Sequence, residues 1–308
     1  MPIGIFKPCK LLQMRILLFI TLTLCSYYSK AQERFLIQET DSIRLFETYL
    51  SNNSKANVFP YLYNKGLIYV SNNKTKYHHL YYSNLQSKPQ KITIDSRFRF
   101  GSVSLFNNEI YFTGISKKMD KRGYYNFAIY KGNFKNFKIS KVKKLPFCNN
   151  NFSYSDPFIS PDGNQLVLVS NERELVHIIE FVRNKNNEWV QKSVVFISHP
   201  NFDIFNPTIF DKNTIYFSSN IFDGKINEIN YIVNERGEIE VERAYREEGD
   251  FNIYKIIRIN GKWGIPQKAN KFNSEFDELG VLFNAKKSGY LTSFRFNSTD
   301  NIYYFELK

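Results

Sequence analysis

A short unit recurs five times along the chain, and it limits the fold more than any other feature of the sequence. The clearest copy is SDPFISPDGNQLVLVSN at residues 155–171, where the tetrapeptide SPDG separates two apolar runs. Other copies begin near residues 58, 102, 205 and 279. Each contains a short strand pattern, a polar turn and a second apolar strand. Self-similarity at intervals of a few tens of residues is typical of solenoids and propellers.

The polar segment inside each copy has the chemistry of a tight turn. Pro161 supplies a φ near −65°, and Gly163 supplies a position where φ is positive. Asn64 and Asn107 occupy the matching turns, and asparagine tolerates left-handed backbone. Asp162 has no D-x-D-x-D neighbours of the kind that bind calcium. We therefore interpret residues 160–163 as a hairpin turn and not as a ligand site.

Two further strands follow most copies. The third is marked by Leu-Tyr or Ile-Tyr beginning at residues 80, 129, 253 and 302, and the fourth leads into the next copy. Four short antiparallel strands per repeat describe the blade of a propeller. The sequence therefore predicts an all-β chain that folds as a β-propeller of four-stranded antiparallel blades.

The spacing of the copies sets the number of blades. Counted at Pro60, Val103, Pro157, Pro207 and Val281, the intervals are 43, 54, 50 and 74 residues. A propeller blade usually occupies about 40–50 residues, so five blades are expected. The long interval predicts a hairpin insertion near residues 229–249.

The last blade lacks a fourth strand, because the chain ends on its third. We expect Phe35–Ile37 to supply the missing strand, which removes an exposed sheet edge. The stretch Asp41–Leu50 leaves two alternatives open. It either opens a degenerate sixth blade or forms a short amphipathic helix before the first one.

The N-terminus has the pattern of an export signal. Basic residues precede the apolar run Ile16–Cys25, and Ser29-Lys30-Ala31 places small residues at a cleavage site. Met1 and Met14 are both compatible as the start. The apolar run is about half the roughly 20 residues that a membrane span needs. We therefore expect a signal peptide at 1–31, a single propeller domain at 32–308, no transmembrane span after signal removal, and a periplasmic or outer-membrane-associated location.

Two alternatives for this segment carry less weight. An N-terminal anchor requires a longer apolar run. A lipoprotein would use Cys25, but Leu24 is too large for that processing motif. After signal removal Cys148 is the one cysteine left, so no intrachain disulfide is expected.

The chain is strongly basic, with a formal net charge of +13. Four of its basic residues lie in residues 1–31. Such a surface attracts anionic lipid, acidic glycan or nucleic acid. The basic residues are scattered and form no continuous stripe. Because the chain is exported, we expect no nucleic-acid partner.

The residue types needed for catalysis are not grouped in the sequence. No G-x-S-x-G motif surrounds a serine. His78 and His79 would point to opposite faces of a strand, which disfavours a shared metal. Paired carboxylates, as in glycosidases, are the more serious option. However, Asp156 corresponds to Asn206 and Phe59 in other copies, so a structural role explains it better. We predict no enzyme activity, no catalytic residues, no metal and no cofactor.

Several of these segments resemble a known family. Residues 155–171 are similar to the TolB-like, Pro-Asp β-propeller repeat. The last two units, with YFSSN at 216–220, GDFNIY at 249–254 and KFNS at 271–274, resemble the propeller part of OmpA-associated Gram-negative envelope proteins. Residues 293–298 depart from that pattern because they lack its glycines. The resemblance implies the propeller fold and an envelope location.

The predicted function is therefore an exported, non-enzymatic propeller that binds an envelope protein or protein complex as a scaffold module. Its binding residues are expected on the strand-connecting loops of one face, at Asp156, Asn171, Asn206 and Asn220. The alternative is a glycan-binding or glycoside-cleaving propeller. Three acids converging on an open axial pocket would favour that alternative, and an apolar plug would disfavour it.

Overall fold

The computed structural model describes most of the chain from residue 34 onward. The described residues are 34–51, 55–72, 78–94, 101–116, 118–173, 175–198, 202–220, 226–233, 237, 239–246, 251–296 and 299–308. The chain divides into a unit Met1–Phe35 and a unit Leu36–Lys308. The predicted signal peptide at 1–31 lies outside the described residues.

The described chain is built of β-strands joined by turns and loops. In chain order the strands are β1 (Leu36–Glu39), β2 (Ile43–Phe46), β3 (Asn57–Tyr63), β4 (Gly66–Ser71), β5 (His79–Ser83), β6 (Gln90–Lys91), β7 (Thr93–Ile94), β8 (Val103–Phe106), β9 (Glu109–Ile115), β10 (Phe127–Lys135), β11 (Lys138–Lys144), β12 (Tyr154–Ile159) and β13 (Gln165–Ser170). They continue with β14 (His177–Arg183), β15 (Trp189–Ile197), β16 (Ile204–Asp211), β17 (Thr214–Ser219), β18 (Ile226–Val233), β19 (Ile239–Arg246), β20 (Asn252–Ile259), β21 (Lys262–Trp263), β22 (Gln267–Lys268), β23 (Glu278–Ala285), β24 (Ser288–Ser293) and β25 (Asn301–Leu307). Within the described ranges there is one 3-10 helix, Asn270–Phe272, and it lies before β23.

These strands form five antiparallel blades in a propeller, as predicted. Blade one is β3-β4-β5-β6, and blade two is β8-β9-β10-β11 with β7 added in parallel at its outer edge. Blade three is β12-β13-β14-β15. Blade four is β16-β17-β20, with β21 and β22 both paired to β20. Blade five is β23-β24-β25, completed by β2 and β1. The innermost strands are β3, β8, β12, β16 and β23.

The N-terminal segment closes the ring, but with different residues from those expected. The strand beside β25 is β2, in which Ile43 pairs with Leu307 and Phe46 pairs with Tyr304. The prediction that Phe35–Ile37 fills this place is wrong, because β1 lies one strand further out and pairs only with β2. Ile43 and Leu45 are buried while Arg44 is exposed. This period of two is a strand pattern, so 41–50 opens neither a sixth blade nor a helix.

Blade four carries an insertion between its second and third strands. The segment forms the two-stranded sheet β18-β19, in which Ile226 pairs with Arg246 and Val233 with Ile239. The chain leaves the blade at Ser219 and re-enters it at Asn252, and these two residues are paired. The insertion therefore projects from the end of the blade at which the inner strand begins.

The SPDG segment is a hairpin turn, as its residues predicted. The Gly163 amide donates to the Ser160 carbonyl at 2.8 Å, and Gly163 has a φ of 73°. Asn64 and Asn107 also have positive φ, at 51° and 54°. A Cβ on Gly163 would lie 2.4 Å from the ring of Phe106 in blade two. Glycine is therefore required both by backbone conformation and by blade packing.

Candidate functional site

A small cavity lies on the propeller axis, where the inner strands of all five blades meet. Its lining comes from these five strands, from Ser102 just before β8 and from Thr292 of β24. In three blades the inner strand is bulged at an x-Pro pair, and the residue before proline is left-handed. Those residues are Phe59, Asp156 and Asn206, with φ of 56°, 53° and 48°. The bulge interrupts the alternation of the strand and brings side chains to the axis.

Asp156 provides the carboxylate of this cavity, and its exposed fraction is 7%. The Ser102 hydroxyl donates to Asp156 Oδ1 at 2.8 Å, and the Asp156 amide donates to Thr113 Oγ1 at 2.9 Å. Burial raises the pKa of the Asp156 carboxyl, and hydrogen bonds from Ser102 and the Asn206 backbone offset that only in part. The carboxylate is thus held in place by the two neighbouring blades.

The four residues predicted to bind a ligand separate into two pairs. Asp156 and Asn206 both line the cavity, and Asn206 Nδ2 donates to the Leu279 carbonyl at 2.7 Å. Asn171 and Asn220 occupy equivalent positions after the second strand of blades three and four. Asn171 Oδ1 accepts from the Ser153 amide at 2.7 Å, and Asn220 Oδ1 accepts from the Asp203 amide at 2.8 Å. The latter two side chains fasten the start of the inner strand.

The cavity does not gather several acids. Among the described residues that line it, Asp156 is the one carboxylic acid. Glycoside hydrolysis uses two carboxyl groups about 5–10 Å apart. The described part of the chain also contains no group of three or more His, Cys, Asp or Glu residues placed to hold a metal ion.

Cys148 and His177 are of residue types that can act in catalysis, but both side chains are buried and contact the backbone. Burial raises the pKa of the Cys148 thiol to about 12, and its sulfur accepts from the Ile129 amide at 3.4 Å. The thiol therefore stays protonated at neutral pH and is a poor nucleophile. His177 is buried, and its Nδ1 lies 2.7 Å from the Leu175 carbonyl. Burial lowers the pKa of this imidazole.

A second feature lies at the end of blade two at which its inner strand, β8, begins. We call it the blade-two loop, residues 118–127, which joins β9 to β10. Four of its large apolar side chains are exposed, Tyr124 at 66% and Tyr125 at 55% among them, and the other two are Met119 and Phe127. Lys118, Lys121 and Arg122 are exposed between these side chains. The loop therefore presents aromatic, thioether and cationic groups side by side.

Asp120 organises the blade-two loop from inside. Its Oδ1 accepts from the Arg122 amide at 2.8 Å and from the Tyr124 amide at 2.9 Å, and its Oδ2 accepts from Asn126 Nδ2 at 3.1 Å. The Asp120 amide closes the turn by donating to the Tyr124 carbonyl at 2.8 Å. The hydrogen bonds stabilise the ionised carboxylate and so lower the pKa of the Asp120 carboxyl. The bond from the Tyr124 amide has the largest effect.

The base of the loop is fastened to the entry of blade three. Asn126 Nδ2 donates to the Asn150 carbonyl at 3.0 Å, and Ser153 Oγ donates to Asn126 Oδ1 at 3.0 Å. The Phe127 amide donates to Ser153 Oγ at 3.2 Å. The loop conformation is therefore set before any ligand binds. Reasoning from sequence missed this loop, although the grouping KMDKRGYY at residues 118–125 was visible.

Comparisons with known proteins support the fold and leave the family open. No family model matches the sequence, and no curated protein is similar to it in sequence. A thermostable family-43 glycoside hydrolase is similar in structure, with a TM-score of 0.50, 12% identity, and coverage of 82% of this chain and 89% of the other. The aldose sugar dehydrogenase of Streptomyces coelicolor in its PQQ-bound form is also similar in structure. Its TM-score is 0.50 at 10% identity, and the match covers 87% of this chain and 98% of the other.

A putative TolB from Agrobacterium tumefaciens is also similar, with a TM-score of 0.41, 12% identity, and coverage of 79% of this chain and 71% of the other. At these identities the likeness extends to the propeller fold alone. Within the described residues no helix has the length and apolarity that crossing a bilayer requires.

Proposed function

We propose that this chain is an exported, non-enzymatic β-propeller that binds a protein in the cell envelope, and that the blade-two loop is its main contact. The observation that carries the proposal is the preformed loop with its exposed Met119, Tyr124 and Tyr125. Tyrosine, methionine and arginine are enriched where proteins bind one another. Because Asp120 and Asn126 already hold the loop, binding would cost little ordering entropy.

The exposed cations define the kind of partner. Lys118 and Lys121 are exposed in the same loop as the tyrosines, and Arg122, which is also exposed, pairs with the shielded carboxylate of Asp120, the one acid of the loop. A partner surface with acidic residues around an apolar recess would complement this arrangement. The net charge of +13 over the whole chain, which becomes 13 − 4 = +9 without the four basic residues of 1–31, also favours an acidic partner.

An envelope location rests on the sequence. Residues 1–31 combine basic residues, an apolar run and a small-residue cleavage motif, which is the pattern of a secretory signal. A scaffold related to OmpA-associated proteins is the finer form of the proposal. The glycoside-cleaving alternative has less support, because hydrolysis uses two carboxyl groups and a single acid lines the axial cavity among the residues described there.

Site-specific photo-crosslinking in the native host tests the proposal. A crosslinking residue would replace Tyr124, or Lys287 in the β23–β24 turn as a matched control at the opposite end of a blade. We expect one stoichiometric envelope protein to be captured from position 124 and not from 287. The double variant Y124A/Y125A should lose that partner while keeping its melting temperature. Equal capture from both positions, or no capture from either, would overturn the proposal, and glycan arrays would then be the next experiment.

A further inference from the structure

A long stretch of blade two is basic and contains no acid. Residues 121–155 include eight lysine or arginine residues and neither aspartate nor glutamate. The formal net charge of the whole chain is +13, so this stretch is its main basic region. Six of the eight lie on β10 and β11, the third and fourth strands of the blade. A concentration of one sign of charge on one part of a fold attracts partners of the opposite sign.

The antiparallel register gathers four of these lysines on one face of the β10–β11 hairpin, which we call the lysine face. Residues that pair across the two strands share a face, and so do alternate residues along a strand. The lysine face consists of three cross-strand pairs: Lys131–Lys143, Asn133–Ser140 and Lys135–Lys138. The opposite face is buried against blade one, where the Phe134 ring lies 5.1 Å from the Tyr63 ring. Amide and hydroxyl groups therefore lie between two pairs of cations that are about 14 Å apart along the strands.

Most of the ammonium groups on the lysine face are open to solvent. Lys131 pairs with Glu109, but Lys135, Lys138 and Lys143 are exposed. In the part of the chain that the structure describes, no acid lies within ion-pair distance of Lys135 or Lys143. Like charges directly opposite each other in a sheet are destabilising. The Lys135–Lys138 pair therefore costs stability, and a bound anion would reduce that cost.

Protection of a sheet edge does not account for the Lys135–Lys138 pair. Lysine often blunts an exposed edge strand. At Lys138, however, the edge is already covered, because Thr93 of β7 pairs with it in parallel. The turn beside the pair is also held in place. Its Phe137 carbonyl accepts from the Thr93 amide at 3.0 Å, and the Phe137 ring lies 4.9 Å from the Tyr82 ring of blade one.

We infer that the lysine face binds a linear acidic polysaccharide in which carboxylate-bearing sugars alternate with neutral ones. The lysines at the two ends of the face hold carboxylates, and Asn133 and Ser140 bond the hydroxyl groups of the sugar between them. The cations of this face are all lysines, whereas two-pronged contacts with phosphate favour arginine. Carboxylates therefore suit the face better than the phosphates of nucleic acid or lipid.

The lysine face also lacks the groups that enter a lipid surface. Proteins that lie on a membrane bury apolar side chains at the boundary between headgroups and acyl chains. Residues 128–144 are all described, and no large apolar side chain among them is exposed. A hydrated polymer therefore fits this face better than a bilayer does.

A triple substitution on the lysine face tests the inference without weakening the fold. The variant K135Q/K138Q/K143Q removes three charges and keeps long polar side chains. Because it also removes a like-charge pair, its melting temperature should equal or slightly exceed that of wild type. The matched control removes the same charge from exposed lysines in turns of blades four and five: K212Q/K286Q/K287Q.

Fluorescence anisotropy of labelled hyaluronan oligosaccharides, in which glucuronate alternates with a neutral amino sugar, measures binding to the purified protein. We expect binding that weakens as salt is added, is about tenfold or more weaker in the lysine-face variant, and changes less than about twofold in the control variant. Neutral dextran should not bind. Y124A/Y125A should bind hyaluronan as wild type does, so the result is independent of any protein that contacts the blade-two loop.

Poly-glutamate, duplex DNA and phosphatidylglycerol vesicles are the competing anions. Binding of any of these as tightly as hyaluronan would overturn the inference in favour of an acidic protein, a nucleic acid or a membrane. No binding of hyaluronan, or an equal loss in both triple variants, would also overturn it, the latter because net charge alone would then be responsible. Aggregation of the lysine-face variant with unchanged binding would show that these lysines only protect the edge of the blade.

Discussion

The guanidinium group of Arg258 lies 4.1 Å from the centroid of the Trp263 ring, and it also pairs with the Glu180 carboxylate of the neighbouring blade. The same arrangement recurs one blade earlier. Arg183 lies 4.6 Å from the Trp189 ring and 2.9 Å from Glu109 Oε2 of blade two. Both tryptophans of the chain are used in this way. Each arginine is held by its own blade and connects that blade to the previous one.

The blade-four connection should contribute strongly to stability. Glu180 is buried and also accepts from Ser193 Oγ at 2.7 Å. R258M leaves the buried Glu180 carboxylate with only the half-exposed Lys192 ammonium as its counter-charge, and E180Q leaves the Arg258 guanidinium without a carboxylate, so each change should lower the free energy of unfolding by about 3 kcal/mol. A double-mutant cycle in urea denaturation measures the coupling. The more exposed Glu109–Arg183 pair is the internal comparison, and we expect a coupling of about 1 kcal/mol or less there. Equal couplings at both pairs would contradict this assignment.

Glu278 should make stability fall as pH rises. Burial raises the pKa of its carboxyl to about 7, and Arg295 and Ser274 offset that only in part. The native state then binds more protons than the unfolded state between about pH 4.5 and 7, so the stability of the fold declines across that window. In E278Q this part of the decline should be missing. E180Q is the control variant. Burial raises the pKa of the Glu180 carboxyl, but Arg258 and Ser193 outweigh that effect and lower the pKa. Glu180 therefore changes stability only below pH 4.5, outside this window. The free energy of unfolding of both proteins would be measured by chemical denaturation across this pH range. If it changed with pH in the same way in wild type and E278Q, the prediction would be refuted.

Gly163 and Gly123 provide a matched test of blade packing. Both have positive φ, at 73° and 86°. A Cβ at 163 would lie 2.4 Å from the Phe106 ring, whereas nothing lies within 4 Å of a Cβ at 123. Gly123→Ala should cost about 1 kcal/mol from backbone strain alone, and Gly163→Ala should cost about 1–3 kcal/mol more from steric overlap. Melting temperatures measure the difference, and equal losses would exclude the packing contribution.

Asn171 should act on stability and not on binding. Its Oδ1 accepts from the Ser153 amide at 2.7 Å. Asn171→Ala should lower the free energy of unfolding by about 1–3 kcal/mol, because a partly buried amide loses its acceptor. Asn171→Asp keeps an oxygen acceptor and should lose less, and exposed Asn186→Ala is the control. Unchanged stability with reduced partner binding would instead show that Asn171 is a contact residue.

Asp120 should control the order of the blade-two loop. In D120A the amides of Arg122 and Tyr124 lose their acceptor, so their hydrogen exchange should accelerate severalfold while the amides of β9 and β10 keep their protection. Native-state exchange measured by mass spectrometry or NMR tests this. Exchange at residues 122 and 124 that matches wild type would mean that the Asp120 carboxylate does not hold the loop. In that case the preformed contact surface would lose its support.

The repeat and its turns were predictable because they depend on local steric requirements. Positive φ is needed at Asn64, Asn107 and Gly163, and only a few residue types meet that need at low cost. The closing strand was assigned incorrectly because two neighbouring apolar stretches compete for one place. The choice of Ile43–Phe46 over residues 35–37 depends on packing against β25, at the far end of the sequence.

The candidate sites were predictable only in part, for a similar reason. The position of Asp156 followed from its place in the repeat, but its burial depends on four other inner strands that meet at the axis. The roles of Asn171 and Asn220 depend on backbone amides that approach from the preceding connection. The exposure of Tyr124 follows from the internal bonds of its loop, since aromatic residues elsewhere in this chain mostly fill the space between blades.

Because β2 pairs with β25, the ring closes through residues as distant in sequence as Ile43 and Leu307. A polypeptide that emerges N-terminus first, from a ribosome or through a translocation pore, would present β2 long before its partner β25. Until then the backbone edge of β2 that pairs with β25 has no native partner. The entropy of closing so long a loop slows the final step of assembly. Such a chain would depend on protection against aggregation while it waits for its C-terminal strand.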